Sequence, residues 1–204
     1  MDEKKSIFKN NTRGLVIIVN YNQDIEVKSF LDKLSLYHPI ENSIFVDDGS
    51  TDTSKIKAEK FQYQVINHPF NIGVGAAIRS GIKYGVDNQY EYVVIMSSNG
   101  KMKPEELHSI IYPIEKENYD YVTGSRFIKD GSSPGISLFR KMMIPIFSRF
   151  AGFCMGRHFS DITCGYRAYK LEHFLNGNID IDHKWLDTYE LEYYIHYRAC
   201  QLNI

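Results

Sequence analysis

Cysteine is scarce in this chain of 204 residues, three in all, and no two of them form a C-x-x-C pair. Cys154, Cys164 and Cys200 sit among apolar or small neighbours, which argues against a disulfide scaffold or zinc cluster and fits reduced, buried thiols in a cytoplasmic protein. Charge of one sign is not in excess. There are 24 Lys and Arg against 25 Asp and Glu, a formal net charge of -1, and no basic stripe interleaved with aromatics, so no nucleic acid partner is expected. No apolar run approaches the roughly 18 residues that a membrane span needs. Residues 1–13 are polar and charged and lack the apolar stretch of a secretory signal. The seven histidines show no H-x-x-x-H spacing. His158 with Asp161 is the one pairing that could approach a metal, surface or core histidine reads better, and no structural metal is expected. Internal repeats and low-complexity tracts are also lacking.

What is present alternates. Short apolar runs at Leu15–Val19, Ser43–Asp47, Gln64–Ile66, Tyr92–Met96 and Tyr121–Gly124 read as strands. Between them lie segments of helical spacing at Asp24–Leu36, with Asp24 as N-cap, then Thr53–Phe61, Val74–Val86 and Pro104–Glu117. That order predicts one α/β domain over 14–204, preceded by a polar extension over 1–13, with a mixed, mostly parallel sheet covered by helices on both faces. Residues 129–137 are rich in Gly and Ser and read either as a mobile lid or as a surface connection. Ser137–Phe153 mixes Arg140, Lys141 and Arg149 with Phe139, Met142, Met143, Ile144, Ile146, Phe147 and Phe150, and Pro145 is expected to kink it. Such a helix fits a lipid surface or a lipid-phosphate acceptor, and core packing explains its apolar positions equally well. Tyr189–Cys200 reads as a last helix.

The chemistry gathers at strand ends. Ser43–Asp52 runs from a short apolar strand into Asp47, Asp48 and a glycine turn, and Leu15–Val19 ends in Asn20, Tyr21 and Asn22. Open α/β sheets take ligands outside the carboxyl ends of their strands, so these acids, amides and one aromatic ring would face a common crevice. The alternative is a turn whose acids cap the next helix, which accounts for part of Ser50 and Asp52. Gly73-Val74-Gly75 imitates part of a dinucleotide fingerprint, but Ile78 holds the third glycine position and the next strand ends in Ser97-Ser98-Asn99 without the acid that would hold a ribose.

In order along the chain, Asp47-Asp48-Gly49-Ser50-Thr51-Asp52, Asn71-Ile72-Gly73-Val74-Gly75-Ala76-Ala77, Gly124-Ser125-Arg126-Phe127 and Asp161-Ile162-Thr163-Cys164-Gly165-Tyr166-Arg167 resemble the motifs of family 2 glycosyltransferases with the GT-A fold. The subgroup most similar is the dolichyl-phosphate mannosyltransferase-like branch. The resemblance implies inverting transfer from a UDP-, GDP- or other nucleotide sugar to a lipid-phosphate or saccharide acceptor, in surface polysaccharide or glycolipid synthesis. By that resemblance Asn20, Tyr21, Asn22, Asp47, Asp48, Ser50, Asn71, Gly75, Ser97, Ser98 and Asn99 line the donor site. Arg126, Arg140, Arg167 and Lys101 are the basic groups for the diphosphate or a phosphorylated acceptor. Asp161 is the first candidate for a catalytic or acceptor-orienting carboxylate, with Glu190 and Glu192 as weaker ones.

One departure matters. Most members of the family carry Asp-x-Asp after the fourth strand to hold Mg2+ or Mn2+ on the donor diphosphate, and here Ser97 and Asn99 stand in those places. Hydroxyl and amide oxygens attract a hard dication far less than carboxylates do, and Asn99 is the one weak ligand retained. Three readings stay open: a metal-assisted enzyme, a metal-independent one that uses arginines and Lys101, and a catalytically degenerate nucleotide-sugar-binding or scaffolding protein. Many relatives carry membrane helices after the catalytic domain, so the resemblance leaves open a soluble enzyme, a subunit that recruits an anchor, or a domain shortened at its C-terminus, the last supported by a family pattern that usually continues into a further strand beyond Ile204. The expected place is the cytoplasm, with peripheral contact at the inner face of the membrane as the alternative.

Overall fold

The computed structural model describes residues 13–129, 131–132 and 135–204. Residues 1–12 of the polar extension, and Asp130, Ser133 and Pro134 of the expected lid, lie outside it. Six strands form one sheet: β1 (Gly14–Asn20), β2 (Ser43–Asp47), β3 (Gln64–Asn67), β4 (Tyr92–Ser97), β5 (Tyr121–Thr123) and β6 (Arg167–Lys170). Their order is β3-β2-β1-β4-β6-β5. The first four pair in parallel, and β6 runs antiparallel between β4 and β5. The sheet is thus mixed and mostly parallel, as expected. Strand β6 was not foreseen, because Arg-Ala-Tyr-Lys is short and charged at both ends.

Side chains alternate across the sheet and build a core on each face. Leu15, Ile17, Val19, Ile44, Val46, Val93 and Ile95 pack under α3 (Val74–Asp87) and α7 (Glu190–Leu202). Val16, Ile18, Phe45, Val94 and Met96 pack under α1 (Asp24–Tyr37), α2 (Ser54–Lys60) and α4 (Leu107–Lys116). Helix α5 (Leu138–Met155) and the short α6 (Glu172–Leu175) complete the set among the described residues.

Two local expectations need correction. Gln23 holds the N-cap position of α1 and Asp24 is its first residue; the Asp24 amide donates to Asp52 Oδ2 at 2.9 Å, and its carboxylate turns to Lys57 Nζ at 2.8 Å. Asp52 also accepts the Ser54 amide at 2.9 Å, so one carboxylate ties together the starts of α1 and α2. Cys154 is exposed, on the solvent side of α5, while Cys164 and Cys200 are partly covered.

Candidate active site

Strands β2 and β3 extend to one side of β1 and β4 lies on the other, so the strand order reverses between β1 and β4, where open sheets form a ligand crevice. Asn20 sits at that point, 3 % exposed. Its amide donates to Asp47 Oδ1 at 2.7 Å, Ser54 Oγ at 2.8 Å and Ser50 Oγ at 3.1 Å, and its carbonyl accepts from Ser98 Oγ at 2.6 Å. Three strand ends and the start of α2 are therefore joined through one side chain.

This network changes the expected roles of the two acids. Asp47 is fully buried and accepts, besides Asn20, the Ser50 hydroxyl at 2.6 Å and the Ser50 amide at 3.0 Å. Asp48, also buried, accepts from His68 Nδ1 at 2.7 Å and from the amides of Ile72 at 3.1 Å and Gly73 at 2.8 Å. Both carboxylates hold the loops that frame the crevice, because buried acids need donors and the backbone supplies them. His68, which bridges Asp48 to Ser80 Oγ at 2.9 Å, and Ser54 were missed by sequence reasoning. Their only signal was position, just past a strand and just inside a helix. Facing outward are Tyr21, 44 % exposed, and Asn22, which takes φ of 50° and accepts the Thr51 amide at 2.9 Å.

Asn71 is exposed beside this loop, but Gly75 does not open onto it. A Cβ at Gly75 would overlap the carbonyl oxygens of Leu186 and Thr188, and the Ala76 amide donates to Asp187 O at 2.9 Å. The close approach that requires glycine is to the chain's own 186–188 segment, not to a ligand.

At the end of β4, Ser97 is half-buried with its amide on Met102 Sδ at 3.2 Å, Ser98 is buried, and Asn99 Oδ1 accepts the Lys101 amide at 3.1 Å. The Lys101 side chain is exposed. Across the crevice, Arg126 and Asp161 are brought together: Nε reaches Oδ2 at 2.7 Å and Nη2 reaches Oδ1 at 2.9 Å. The Thr163 amide adds a donor to Asp161 at 3.1 Å. Burial alone would raise the Asp161 pKa, but Arg126 outweighs it and holds the carboxyl below its ordinary value. Asp161 is therefore a paired, buried anion rather than an open base.

Arg167 is 1 % exposed, and its guanidinium donates to the carbonyls of Cys164 at 2.6 Å, Glu192 at 2.6 Å and Ile162 at 3.0 Å. It fixes the turn before β6 and offers nothing to a phosphate. Glu190 is exposed and accepts from Thr188 Oγ1. Glu192 is the better placed of the two glutamates: its Oε1 would lie 3.1 Å from a Cβ at Gly165, and it stands 3.9 Å from Arg167 Nε. Burial pushes its pKa up, against the pull of Arg167.

Arg140 stands on the first turn of α5, whose amide is capped by Ser137 Oγ at 3.4 Å. The rest of α5 leaves Leu138, Phe139, Met142, Ile146, Phe147, Phe150 and Phe153 exposed, Phe153 to 86 %. Ile144, Ser148 and Gly152 are its buried positions, so core packing explains a minority of its apolar residues. Among the described residues no helix is long and apolar enough to cross a membrane.

Residues 15–175 match the family described as glycosyl transferase family 2. The chain belongs to that family. This family 2 protein is 28 % identical over 166 residues to polyprenol monophosphomannose synthase of Mycolicibacterium smegmatis, a match covering 78 % of this chain and 62 % of that one. It is 29 % identical over 165 residues to undecaprenyl-phosphate mannosyltransferase of Micrococcus luteus, covering 78 % and 67 %. Its fold matches the UDP complex of glucosyl-3-phosphoglycerate synthase from Mycobacterium tuberculosis with a TM-score of 0.60 at 16 % identity, covering 79 % of this chain and 58 % of that one. The GT-A fold is thereby established, and the chain spans less than two thirds of the length of the first and third of these proteins.

Another structure of that synthase holds Mn2+ with UDP-glucose. The end of β4 here does not fit Mg2+ or Mn2+. Ser97 and Asn99 offer neutral oxygens, Asn99 Oδ1 is already engaged, and Asp47, Asp48 and Asp161 are held by their own donors. A grouping of Asp120, Glu172 and His173 lies at the opposite, amino-terminal edge of the sheet, where Lys170 Nζ already stands 2.8 Å from Asp120.

Proposed function

We propose that this family 2 protein moves a glycosyl group, with inversion, from a nucleotide sugar held at the β1/β4 switch point to the phosphate of a polyprenol-type lipid. The observation that carries the choice of acceptor is the state of the carboxylates. Asp47, Asp48 and Asp161, the acids that the motifs bring to this edge, are buried and each held by its own donors, so none of the three is free to deprotonate a sugar hydroxyl. A lipid phosphate brings its own anionic oxygen and needs no base. That oxygen attacks the anomeric carbon as the bond to the diphosphate breaks, and the nucleoside diphosphate leaves with the electron pair. The names of the M. smegmatis and M. luteus relatives point to the same class of acceptor.

In this reading Tyr21 stacks on the base, Asn22 and Ser50 hydrogen-bond the nucleoside, and Lys101, Arg140 and the outer nitrogen of Arg126 face the phosphates without a metal. The exposed apolar and cationic face of α5 rests on the lipid surface from which the acceptor is drawn. Replacement of the Asp-x-Asp acids favours a second reading, a protein that binds the donor without turning it over.

Calorimetric titration with UDP, GDP, CDP and dTDP, each with Mn2+ and with EDTA, tests the donor site. One nucleotide is expected to bind selectively and equally with and without metal. Transfer from its sugar to a polyprenyl phosphate distinguishes the enzyme from the binding protein. Failure of all four nucleotides would overturn both readings.

A further inference from the structure

A cationic and aromatic feature lies outside the crevice. At the carboxyl end of α5 a surface hollow of about 400 Å³ is lined by Arg149, Gly152, Phe153, Gly156, Arg157, His158 and Phe159. None of these residues is acidic, and no Asp or Glu occurs anywhere from Gly131 to Ser160. The hollow is a product of how the helix ends. Gly156 takes φ of 66°, the Arg157 amide turns back to Gly152 O at 2.9 Å, and the chain reverses so that Arg157 and His158 come round beside Arg149. Gly152 faces this reversal because a Cβ there would overlap Arg157 O.

Cations at a helix carboxyl terminus complement its dipole, and Arg157 Nη2 also donates to Asn203 Oδ1; together these account for Arg157 and His158 but not for Arg149, two turns earlier. Nor does it explain the aromatic lining. Phe153 belongs both to the hollow and to the exposed apolar face that runs back through Phe150, Phe147, Ile146 and Met142 to Leu138. A ligand that satisfies both surfaces carries an anionic phosphate next to a hydrocarbon tail, since guanidinium groups grip phosphate oxygens and the phenylalanines offer nothing to a soluble anion.

We propose that this hollow seats the phosphate headgroup of an anionic membrane phospholipid and so fixes α5 in the bilayer surface. This rests on the reading of α5 as the lipid-facing helix, and it adds a site for bulk lipid separate from the acceptor. One end of α5 then faces the crevice through Arg140 while the other is held to the membrane.

The test is co-sedimentation with vesicles of phosphatidylcholine alone and of phosphatidylcholine with about one third phosphatidylglycerol, comparing the full chain with Arg149→Gln/Arg157→Gln and with a charge-matched control, Lys33→Gln/Lys60→Gln. Each lost cation near an anionic surface weakens binding several-fold, so the arginine double variant is expected to partition into the mixed vesicles roughly 20-fold less well, with the control unchanged. Calorimetric nucleotide binding by the arginine variant is expected to match that of the unaltered chain, which separates failure of this site from failure of the donor reading. Equal losses in both double variants would reduce the effect to net charge and overturn the proposal. So would mixed-vesicle binding untouched by the arginine changes, or tight binding of inorganic phosphate by a chain that ignores vesicles.

Discussion

The Arg126 guanidinium lies flat against the Asp161 carboxylate, with two parallel hydrogen bonds of 2.7 and 2.9 Å, and the Arg126 amide adds a third at 3.2 Å. Two residues expected to act separately on the substrate are thus one unit that closes the β5–β6 side of the crevice. Breaking a buried pair strands the remaining charge, so Asp161→Asn is expected to cost about 3 kcal/mol at neutral pH. The folded pKa of Asp161 is depressed, so its contribution is present above the ordinary carboxylate range and is lost as pH falls below it. Urea unfolding at pH 7 and pH 3 should show the gap between the native chain and Asp161→Asn narrowing at the lower pH; a constant gap would mean that the pair's charge is not what stabilises.

Asn20 has no equivalent substitute, because it donates to Asp47, Ser54 and Ser50 while accepting from Ser98. Asn20→Ala leaves several buried polar groups short of a partner and is expected to cost about 2–3 kcal/mol. Asn20→Asp should cost more, since it sets a carboxylate against Asp47 Oδ1. Chemical denaturation of both variants checks the order, and Asp milder than Ala would refute it.

Much of this was legible beforehand. Five of the six strands and the helices between them follow from alternating apolar runs, and the ends of β1, β2 and β4 bring Asn20, Asp47 and Ser97 side by side. What sequence patterns do not carry is direction. Asp47 and Asp48 stand at the edge as expected, yet each turns inward to donors supplied by segments far along the chain: Asn20, and the His68 and Ile72–Gly73 loop. Arg167 likewise matches a family motif, but its neighbours are three carbonyls of turns that only the folded chain brings together. Strand β6 was invisible because its partners β4 and β5, not its own composition, make it a strand.

Gly75 offers a sharp steric test. The 186–188 segment crosses the start of α3 so closely that any Cβ at Gly75 overlaps main-chain oxygens, which cannot rotate away as a side chain would. Gly75→Ala is expected to destabilise by about 1–3 kcal/mol, despite alanine's better helix propensity. A thermal melt equal to or above that of the native chain would show that the segment yields.

His196 gives the fold a pH dependence of the opposite kind from a surface histidine. It is 1 % exposed, its Nδ1 meets Tyr121 Oη at 2.7 Å, and its Nε2 has no partner among the described residues. Burial, with Arg167 nearby, lowers its pKa to about 4. Between that value and the ordinary 6.5 the unfolded chain binds the extra proton, so stability is full above about 6.5 and falls as pH drops. The expected loss from pH 7 to pH 5 is about 2 kcal/mol from this residue, and His196→Phe should remove that part of the slope in urea titrations. An unchanged slope would assign the dependence to other groups.

Ser97 and Asn99 allow the metal question to be turned round. They occupy the strand end where a donor diphosphate would meet a dication, and they are neutral, so nucleotide binding by the native chain should ignore EDTA. Ser97→Asp with Asn99→Asp adds two carboxylates at an edge whose existing acids are already paired. Without a cation those charges repel the diphosphate, and the double variant is expected to bind nucleotide at least roughly tenfold more weakly in EDTA than the native chain does. With Mn2+ the same carboxylates become hard anionic ligands, and affinity should return to the native level or exceed it. The pattern to measure is therefore a change in the sign of the metal effect, from none to strongly favourable. If the native chain already needs Mn2+, a ligand set other than these strand-end residues holds the ion, and the metal-independent reading fails.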